Sequence, residues 1–320
     1  MQIYTKTQIE NALDIPYLIT EIEKGLILYS RRKANIAPSS FLHFENPPGD
    51  THIKSGAIPG EDLYVIKIAS GFYENPKIGL SSSNGLMLLL SQKTGELKAI
   101  LLDEGRLTDL RTGLAGAIAA KYLANPIIKI GMIGTGIQSR EQLINLQFVT
   151  DCRDVFVWGR NPSNALEFAQ DPRLSMFNIS LANNIGEIAE SCNLIITATA
   201  STKPLLFGDQ LRPGTHITAV GTDDYGKQEL DSSVFEKANL IIVDSLSQCL
   251  QYGDLSHTKN LKNTPIELGS FIDQPQIRNK HWITVADLTG VAIEDLQIAK
   301  AVFRKLDGVK GISLPQFLRS

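Results

Sequence analysis

A glycine-containing segment in the middle of the chain has the composition of a loop that binds phosphate groups. It follows an apolar run and precedes a segment of helical character, with Ser139 where the third glycine of the usual pattern would stand. The first glycine permits a tight turn, and the second lets the backbone approach a pyrophosphate, whose charge the helix N-terminus favours. We predict a dinucleotide site here, against the alternative of a purely structural turn. The residues predicted to contact the dinucleotide are Gly134, Thr135, Gly136, Ile137 and Gln138.

The end of the next apolar run bears on which dinucleotide is bound. NAD sites usually carry an acidic residue there, which binds the ribose hydroxyls. In this chain the run ends at Arg160 and Asn161, with no carboxylate. A permanently charged, bidentate guanidinium suits a 2′-phosphate. The pattern therefore favours NADP(H), while NAD(H) stays open if Arg160 only stacks on adenine or faces solvent.

Two further segments of small residues, 197–201 and 219–222, each follow an apolar run. Ligands of open α/β sheets bind at the carboxyl ends of the strands, and small residues let a cofactor lie close to the backbone. The additional cofactor-binding candidates are Thr197, Ala198, Thr199 and Val220.

The elements that must position these residues alternate in type. Short Val- and Ile-rich runs separated by helical patterns are typical of a parallel sheet covered on both faces. The predicted strands are 127–134, 154–159, 193–199, 216–221, 239–245 and 281–287, and the predicted helices between them are 140–148, 162–170 and 182–190.

The first third of the chain has a different pattern, with a helical segment at 7–32 followed by strand-like runs and turn signals. The strand-like runs are 63–68, 85–91 and 97–102, and long helices are predicted at 107–124 and 291–306. We predict an α/β protein in which a doubly wound, Rossmann-type parallel sheet accompanies a separate α+β domain. The predicted domains are 119–288 for the Rossmann-type part, and 1–118 with 289–320 for the α+β part.

The composition excludes several classes of function. With 43% hydrophobic and 20% charged residues and a net charge of -3, the sequence is that of an ordinary globular protein. Basic residues are scattered, which argues against nucleic-acid binding. No apolar run approaches the roughly 18 residues of a membrane span, and the N-terminus lacks a signal sequence, so a cytoplasmic location is expected. The three cysteines lack CxxC spacing, and we expect reduced thiols without a metal.

Several motifs in order along the chain resemble the ornithine cyclodeaminase/mu-crystallin family over essentially the whole length. They are VIKIASGFYENP (65–76), LLDEGRLTDLRTGLAGAIAAKYLA (101–124), IGTGIQSR (133–140), AVGTDDYGKQELD (219–231) and DLTGVAIED (287–295). The resemblance implies a homodimer whose α+β domain forms the substrate site and the dimer interface, facing the Rossmann domain across a cleft. It also implies hydride exchange between a nicotinamide and the α-carbon of a small amino acid or its imine.

The resemblance assigns Lys67 and Arg111 to the cationic pair that holds the substrate α-carboxylate. Two fixed cations on a carboxylate would position the α-carbon for hydride transfer. Without the resemblance, the alternative is a strand lysine facing solvent and an arginine on a helix surface. Lys67 is also a catalytic candidate.

The same mapping makes Asp223 the second catalytic candidate, placed to stabilise an iminium or to deliver a proton or an activated water. Asp224 is an adjacent alternative, and one of the two aspartates is then only a turn carboxylate. By the same resemblance, the residues expected near the cofactor are Lys227, Thr112 and Ser83.

Two positions depart from family members that act on ornithine. Those members have an arginine that adds to the carboxylate clamp, and the nearest position in this chain is Ser40. They also have a glutamate that receives the side-chain ammonium of ornithine, and Lys54 stands at that position here. A lysine repels an ammonium group, although Lys54 could instead bind the substrate carboxylate. Both residues are counted as substrate-binding candidates.

Lys54 and Arg160 favour a reductase of a cyclic ketimine such as Δ1-pyrroline-2-carboxylate, which would yield proline. Asp223, in its motif, favours an ornithine cyclodeaminase that forms proline and ammonia. A non-catalytic NADPH-binding protein is the third alternative, against which the presence of Lys67, Arg111 and Asp223 argues.

Overall fold

The computed structural model describes residues 1–72, 74–277, 279–306 and 308–309. The chain divides into two compact units. The first unit is Met1–Arg111 together with the chain from Val291 onward, and the second is Thr112–Gly290. The boundaries predicted from the sequence lie at 118/119 and 288/289. The first differs because helix α3 (Arg106–Leu123) runs through the division without a break in its pattern.

The bounds of the elements are as follows. The strands are β1 (Gln2–Thr5), β2 (Asn35–Ile36), β3 (Ser40–Glu45), β4 (Pro48–Ala57), β5 (Leu63–Phe72), β6 (Ser83–Ser91), β7 (Leu97–Leu102), β8 (Ile130–Ile133), β9 (Asp154–Trp158), β10 (Asn178–Leu181), β11 (Leu194–Thr197), β12 (Thr202–Leu206), β13 (His216–Ala219), β14 (Gln228–Leu230), β15 (Leu240–Val243), β16 (Ile266–Glu267) and β17 (Thr284–Asp287). The helices are α1 (Lys6–Asn11), α2 (Ile15–Ser30), α3 (Arg106–Leu123), α4 (Ile137–Leu146), α5 (Pro162–Ala169), α6 (Ile185–Ser191), α7 (Ser232–Lys237), α8 (Leu246–Tyr252), α9 (Leu268–Asp273) and α10 (Ala292–Lys305).

The first unit is built on a mixed sheet in the order β1-β7-β6-β5-β4-β2, with β3 also paired to β4. β1 runs parallel to β7, and the other pairs are antiparallel. Helix α10 packs against α2 and against strands β4, β5 and β6. One face of the sheet therefore forms the core of this unit with α10.

The single helix predicted at 7–32 is wrong, because the structure contains two helices there, preceded by β1. The break comes at Asp14, whose Oδ1 accepts a hydrogen bond of 3.3 Å from the backbone N–H of Tyr17 and so caps α2. Pro16 lies in the first turn of α2, where its missing N–H has no partner to lose.

The second unit contains a parallel sheet in the order β10-β9-β8-β11-β13-β17-β15-β16. The chain leaves β8 toward β9 and β10, and it later continues on the other side of β8 with β11 and β13. The switch point of this doubly wound sheet therefore lies between β8 and β11, where such folds bind their ligands. The α/β class predicted from the alternating pattern is confirmed.

Helix α3 was predicted at 107–124, and its small residues permit a close approach of α4 within the second unit. A Cβ atom on Gly113 would lie 2.7 Å from Asn145 Nδ2, and one on Gly116 would lie 1.8 Å from Gln142 Oε1. The Gln142 side chain donates a hydrogen bond of 2.9 Å to the carbonyl of Thr112. The helix behind the glycine loop is thereby held against α3.

Candidate functional site

A cluster of basic side chains lies on the inner face of the first unit's sheet. The antiparallel register places Lys54 on β4 directly opposite Lys67 on β5. Their exposed fractions are 2% and 1%, and that of Arg111 on α3 is 5%. The solvent-facing alternative for Lys67 and Arg111 is therefore wrong. We call Lys54, Lys67 and Arg111 the cationic cluster.

Two carboxylates in the first turn of α10 pair with the cationic cluster. Asp295 contacts Lys67 Nζ at 3.3 Å and Arg111 Nε at 3.1 Å, and Glu294 accepts a hydrogen bond of 2.9 Å from Arg111 Nη1. Both acids are almost completely buried. Neither acid was predicted from the sequence to belong to a site, although both lie in the motif DLTGVAIED. Acidic residues in a first helical turn are common for dipole reasons alone, so their spacing carried no specific signal.

The environment of Lys67 changes its ionisation. Burial lowers the pKa of Lys67 from 10.5 to about 7; Asp295 opposes this shift, while Arg111 and Lys54 add to it. A buried ammonium of this kind is stabilised by any further anion placed beside it. A carboxylate placed beside Lys67 would therefore favour its charged form.

A further acidic residue lies at the start of α3. Asp103 is 1% exposed, and its Oδ2 accepts a hydrogen bond of 2.7 Å from the N–H of Leu107. Burial raises the pKa of Asp103, an effect that the nearby Lys67 partly opposes. Asp103 thus anchors the helix that carries Arg111.

Ser40 and Ser83 take different places in the same sheet. Ser40 pairs with Ile53 and so points to the face opposite that of Lys54, and it is exposed. The structure therefore does not bring Ser40 together with the cationic cluster. Ser83 pairs with Gly71, and its hydroxyl lies 2.8 Å from a Cβ built on Gly105. By the alternation of β6, Ser83 is on the same face as Met87, the partner of Lys67.

The glycine loop of the second unit follows β8 and leads directly into α4. Gly134 has a φ of +122°, and a Cβ atom there would lie 2.5 Å from the carbonyl oxygen of Ala198. Gly136 is the N-cap of α4 without a side-chain cap, and nothing lies within 4 Å of its Cβ position. α4 begins three residues before the predicted start, so Ile137 and Gln138 lie in its first turn. The open N-terminus of a ten-residue helix fits a pyrophosphate.

Ser139 is fully buried behind this loop, and its hydroxyl lies 3.0 Å from the Cβ position of Gly134. A small polar residue therefore fits where the third glycine usually stands.

A groove of about 300 Å³ runs along the same edge of the sheet. Arg160 at its rim is exposed and makes no hydrogen bond or ion pair with any residue that the structure describes. The side chain of Asn161 caps α5 by accepting a hydrogen bond of 3.0 Å from the N–H of Ser163. The lining residues are Gly134, Thr135, Gly136, Trp158, Gly159, Arg160, Asn161, Asn164, Ala198, Thr199, Ala200, Ser201 and Leu205.

The remaining predicted cofactor residues of the second unit lie at neighbouring strand ends. Thr197 ends β11 and is completely buried, and Val220 follows β13 and is also buried. Thr112, the first residue of the unit, is bonded through its carbonyl to Gln142.

The two candidate aspartates differ in accessibility. The Asp223 carboxylate is 38% exposed and pairs with Lys227 Nζ at 2.6 Å. Asp224 is 3% exposed, and its Oδ1 accepts a hydrogen bond of 2.7 Å from the N–H of Tyr225. Of the two, Asp223 is the one that a ligand can reach.

Two supporting residues were missed from the sequence. Arg140 donates to the carbonyls of Thr135 and Gly136 and forms an ion pair with Asp171 at 2.7 Å, so it braces the glycine loop. Glu229 bonds to the segments that follow β11 and β13. Both residues lie inside motifs quoted above. A charged residue type does not by itself indicate that the side chain forms hydrogen bonds with nearby backbone groups.

The chain combines a Rossmann-type unit, which carries a glycine loop suited to phosphate, with a unit that buries a cationic cluster. This combination defines a class of dinucleotide-binding α/β proteins. The model of the ornithine cyclodeaminase/mu-crystallin family matches residues 1–310. The chain therefore belongs to this family.

The similar proteins include reductases, dehydrogenases and cyclodeaminases. The chain is 36% identical over 268 residues to an uncharacterized cyclodeaminase of Sinorhizobium fredii, with 81% of each chain covered. It is 32% identical over 311 residues to the alanine dehydrogenase of Archaeoglobus fulgidus, with 94% of each covered. Among solved structures, Thermococcus litoralis Δ1-pyrroline-2-carboxylate reductase in complex with NADH and L-proline matches with a TM-score of 0.88 and 27% identity, covering 98% of this chain and 100% of that one. An archaeal alanine dehydrogenase dimer with bound NAD matches with a TM-score of 0.86 and 29% identity, covering 98% and 99%.

These similarities support an enzyme that uses a nicotinamide cofactor and acts on a small amino acid or imine. Within the described residues, no helix combines the length and apolar character needed to cross a bilayer.

Proposed function

We propose that the protein catalyses nicotinamide-dependent hydride transfer at the α-carbon of a small amino acid or its cyclic imine. Among these reactions, we propose the reduction of a cyclic ketimine, such as Δ1-pyrroline-2-carboxylate to proline. The observation that carries this proposal is the buried cationic cluster, which offers a carboxylate ligand three basic side chains on one scaffold.

The residues of the second unit fit a nicotinamide dinucleotide. The Gly134 turn and the open N-terminus of α4 at Gly136 suit its phosphates, and the end of the groove that contains Arg160 suits its adenosine. When bound, this cofactor supplies or accepts the hydride. Because Arg160 is available to a 2′-phosphate, we propose a preference for NADP(H), although the two similar structures above contain NADH or NAD.

The chain's own residues would position the substrate and move its proton. Lys67 and Arg111 would bind the α-carboxylate, with their orientation set by Asp295 and Glu294. Fixing the carboxylate restricts the α-carbon to a small range of positions, which lowers the entropic cost of the transfer. Asp223, held by Lys227, would stabilise a positively charged imine nitrogen or exchange a proton with it.

Ornithine cyclodeamination is the alternative, and Asp223 favours it because proton transfer at nitrogen is needed for ammonia to leave. Lys54 argues against it. This lysine is buried opposite Lys67 and would repel a substrate ammonium group nearby. A cyclic imine carries no such side-chain ammonium.

The deciding assay offers the purified protein L-ornithine with NAD and, separately, Δ1-pyrroline-2-carboxylate with NADPH. We expect NADPH consumption and proline formation in the second reaction alone. Ammonia and proline from L-ornithine would select the cyclodeaminase. Absence of turnover with a broad panel of amino acids and cyclic imines would leave the non-catalytic binding protein.

A further inference from the structure

We propose that Glu229 is a positioning residue that shapes the nicotinamide half of the cofactor groove by joining the two chain segments that follow β11 and β13. This inference rests on the proposed use of a nicotinamide dinucleotide. The last ladder bond between them runs from the N–H of Val220 to the carbonyl of Thr197 at 3.0 Å, and the side chain of Glu229 extends the connection to Thr199 and Gly221 beyond it.

Both oxygens of the Glu229 carboxylate are used. Oε1 accepts hydrogen bonds from the backbone N–H of Thr199 at 2.6 Å and from its hydroxyl at 2.7 Å. Oε2 accepts hydrogen bonds from the hydroxyl of Thr197 and from the N–H of Gly221, each at 2.8 Å. Thr197 and Thr199 belong to one segment and Gly221 to the other. Four donors from two segments therefore converge on one carboxylate.

The arrangement uses both oxygens of the Glu229 side chain and leaves no spare room. Glu229 is 0% exposed, and a Cβ atom on Gly221 would lie 2.2 Å from the carbonyl oxygen of Thr199 and 2.5 Å from Glu229 Cδ. A glutamine has one acceptor oxygen, and its amide nitrogen would face a backbone N–H that needs an acceptor. Glutamine therefore keeps the shape of the side chain but loses the convergence of donors.

The backbone of Glu229 is itself fixed by a second buried carboxylate. Asp254 Oδ1 accepts hydrogen bonds from the N–H of Glu229 at 2.7 Å and of Leu230 at 2.9 Å. Asp254 is 0% exposed. Glu229 lies in β14, which also pairs with β12. The backbone of Glu229 is therefore held by Asp254 and by this strand pairing.

The place of these segments in the sheet shows which half of a dinucleotide they concern. In a doubly wound sheet, the two halves on either side of the switch point each hold one mononucleotide. Arg160 follows β9, on one side, and marks the adenosine half. β11 and β13 lie on the other side. The segments joined by Glu229 therefore belong to the nicotinamide half.

The test compares full-length Glu229→Gln with the parent and with Glu236→Gln, which changes an exposed glutamate of α7 in the same unit. NADH and NADPH are titrated by fluorescence. AMP and adenosine 2′,5′-bisphosphate, which contain only the adenosine half, are titrated by calorimetry. We expect Glu229→Gln to weaken dinucleotide binding at least about tenfold while the fragments bind within about twofold of the parent. Glu236→Gln should match the parent throughout.

Parental dinucleotide affinity in Glu229→Gln would overturn the inference, as would an equal loss for the fragments, which would indicate general damage. If Glu229→Gln does not fold, Thr199→Val removes one of the four donors with little change in shape. A several-fold selective loss for the dinucleotides supports the inference, and parental affinity overturns it. A parent chain that binds no dinucleotide would instead refute the proposed function, on which the inference rests.

Discussion

At the scale of single residues, the substrate binding that we propose depends on Lys67, which is only partly protonated at neutral pH. Burial holds the pKa of Lys67 at about 7 despite the contact with Asp295. An ammonium in this position is costly unless anions surround it. A substrate carboxylate would improve its environment, so ligand binding and protonation of Lys67 should be linked.

This linkage gives a pH dependence with a definite sign. A bound carboxylate favours the charged form, so binding takes up a proton once the pH exceeds the pKa of free Lys67, about 7. We expect the affinity for L-proline to fall by up to about tenfold per pH unit above that value. The measurement is calorimetric titration from pH 6 to pH 9 in buffers with different heats of ionisation.

The matched variants are Lys67→Met and Lys93→Met. Lys67→Met should bind L-proline weakly and lose proton uptake, whereas Lys93→Met, which changes an exposed lysine of the same unit, should behave as the parent. Undiminished proton uptake in Lys67→Met would assign the linkage to another group.

Arg160 permits a similar test of the cofactor preference. The guanidinium lines the groove and has no partner among the described residues, so it is available to a 2′-phosphate. We expect Arg160→Asp to shift the preference from NADPH toward NADH by about 1–3 kcal/mol, measured as the ratio of dissociation constants. Lys259→Asp, at an exposed site of the same unit outside the groove, should leave the ratio unchanged. A parent that already prefers NADH would contradict the role given to Arg160.

The sequence indicated the basic residues of the site better than their partners. Lys67 and Arg111 were found through family motifs, but their burial could not be read because a lysine in a strand is usually solvent-exposed. Glu294 and Asp295 were not predicted as partners, because acidic residues are common in the first turn of any helix. Ion pairs between residues far apart in the chain require the register and the packing, which residue types alone do not provide.

At the scale of the elements, the sheet of the first unit has an apolar outer face. Side chains alternate along each strand, so residues next to Lys67 point away from α10. Those of β4, β5, β6 and β7 on this face are only partly buried or exposed. They include Ile53, Ile66, Ile68, Leu86, Leu88, Ile100 and Leu102. A contiguous apolar patch of this kind is typical of an association surface.

We propose that this face forms a homodimer, as the family resemblance implies and as the similarity to an alanine dehydrogenase dimer supports. Ile66→Glu would place a charge in the buried centre of such an interface, and we expect the particle mass from light scattering to fall by half. Ile277→Glu, at a residue that is 98% exposed, is the control. A parent chain that is monomeric, or an unchanged dimer in Ile66→Glu, would refute the assignment.

The elements were predictable where periodicity was strong. The predicted strands 63–68, 85–91 and 97–102 correspond to β5, β6 and β7, and the central parallel strands also appeared where expected. β3 and β4 were missed because β4 is largely polar and because Pro47 lies between the two strands and Pro48 begins β4, and prolines usually argue against a strand. β10, β14 and β16 contain four residues or fewer, too short for a pattern to stand out.

At the scale of the whole molecule, the second unit is continuous in sequence and interrupts the first. Each unit has its own packed sheet, and the chain enters the second unit within α3 and leaves it just before α10. The alternating pattern predicted a Rossmann-type domain at 119–288. The unit itself begins at Thr112, within α3, where an uninterrupted helix carries no signal of a boundary.

The insertion also has a consequence for synthesis on the ribosome. Lys54, Lys67 and Arg111 emerge early, but Glu294 and Asp295, the acids that pair with Lys67 and Arg111, lie beyond the whole of the second unit. The second unit can fold once the chain has been synthesised as far as Gly290. The sheet of the first unit can bury its charged inner face only after α10 has been synthesised. A nascent chain that stops before residue 292 would therefore hold three basic groups without their counter-ions. The synthesis of α10 therefore completes the buried ion pairs of the first unit.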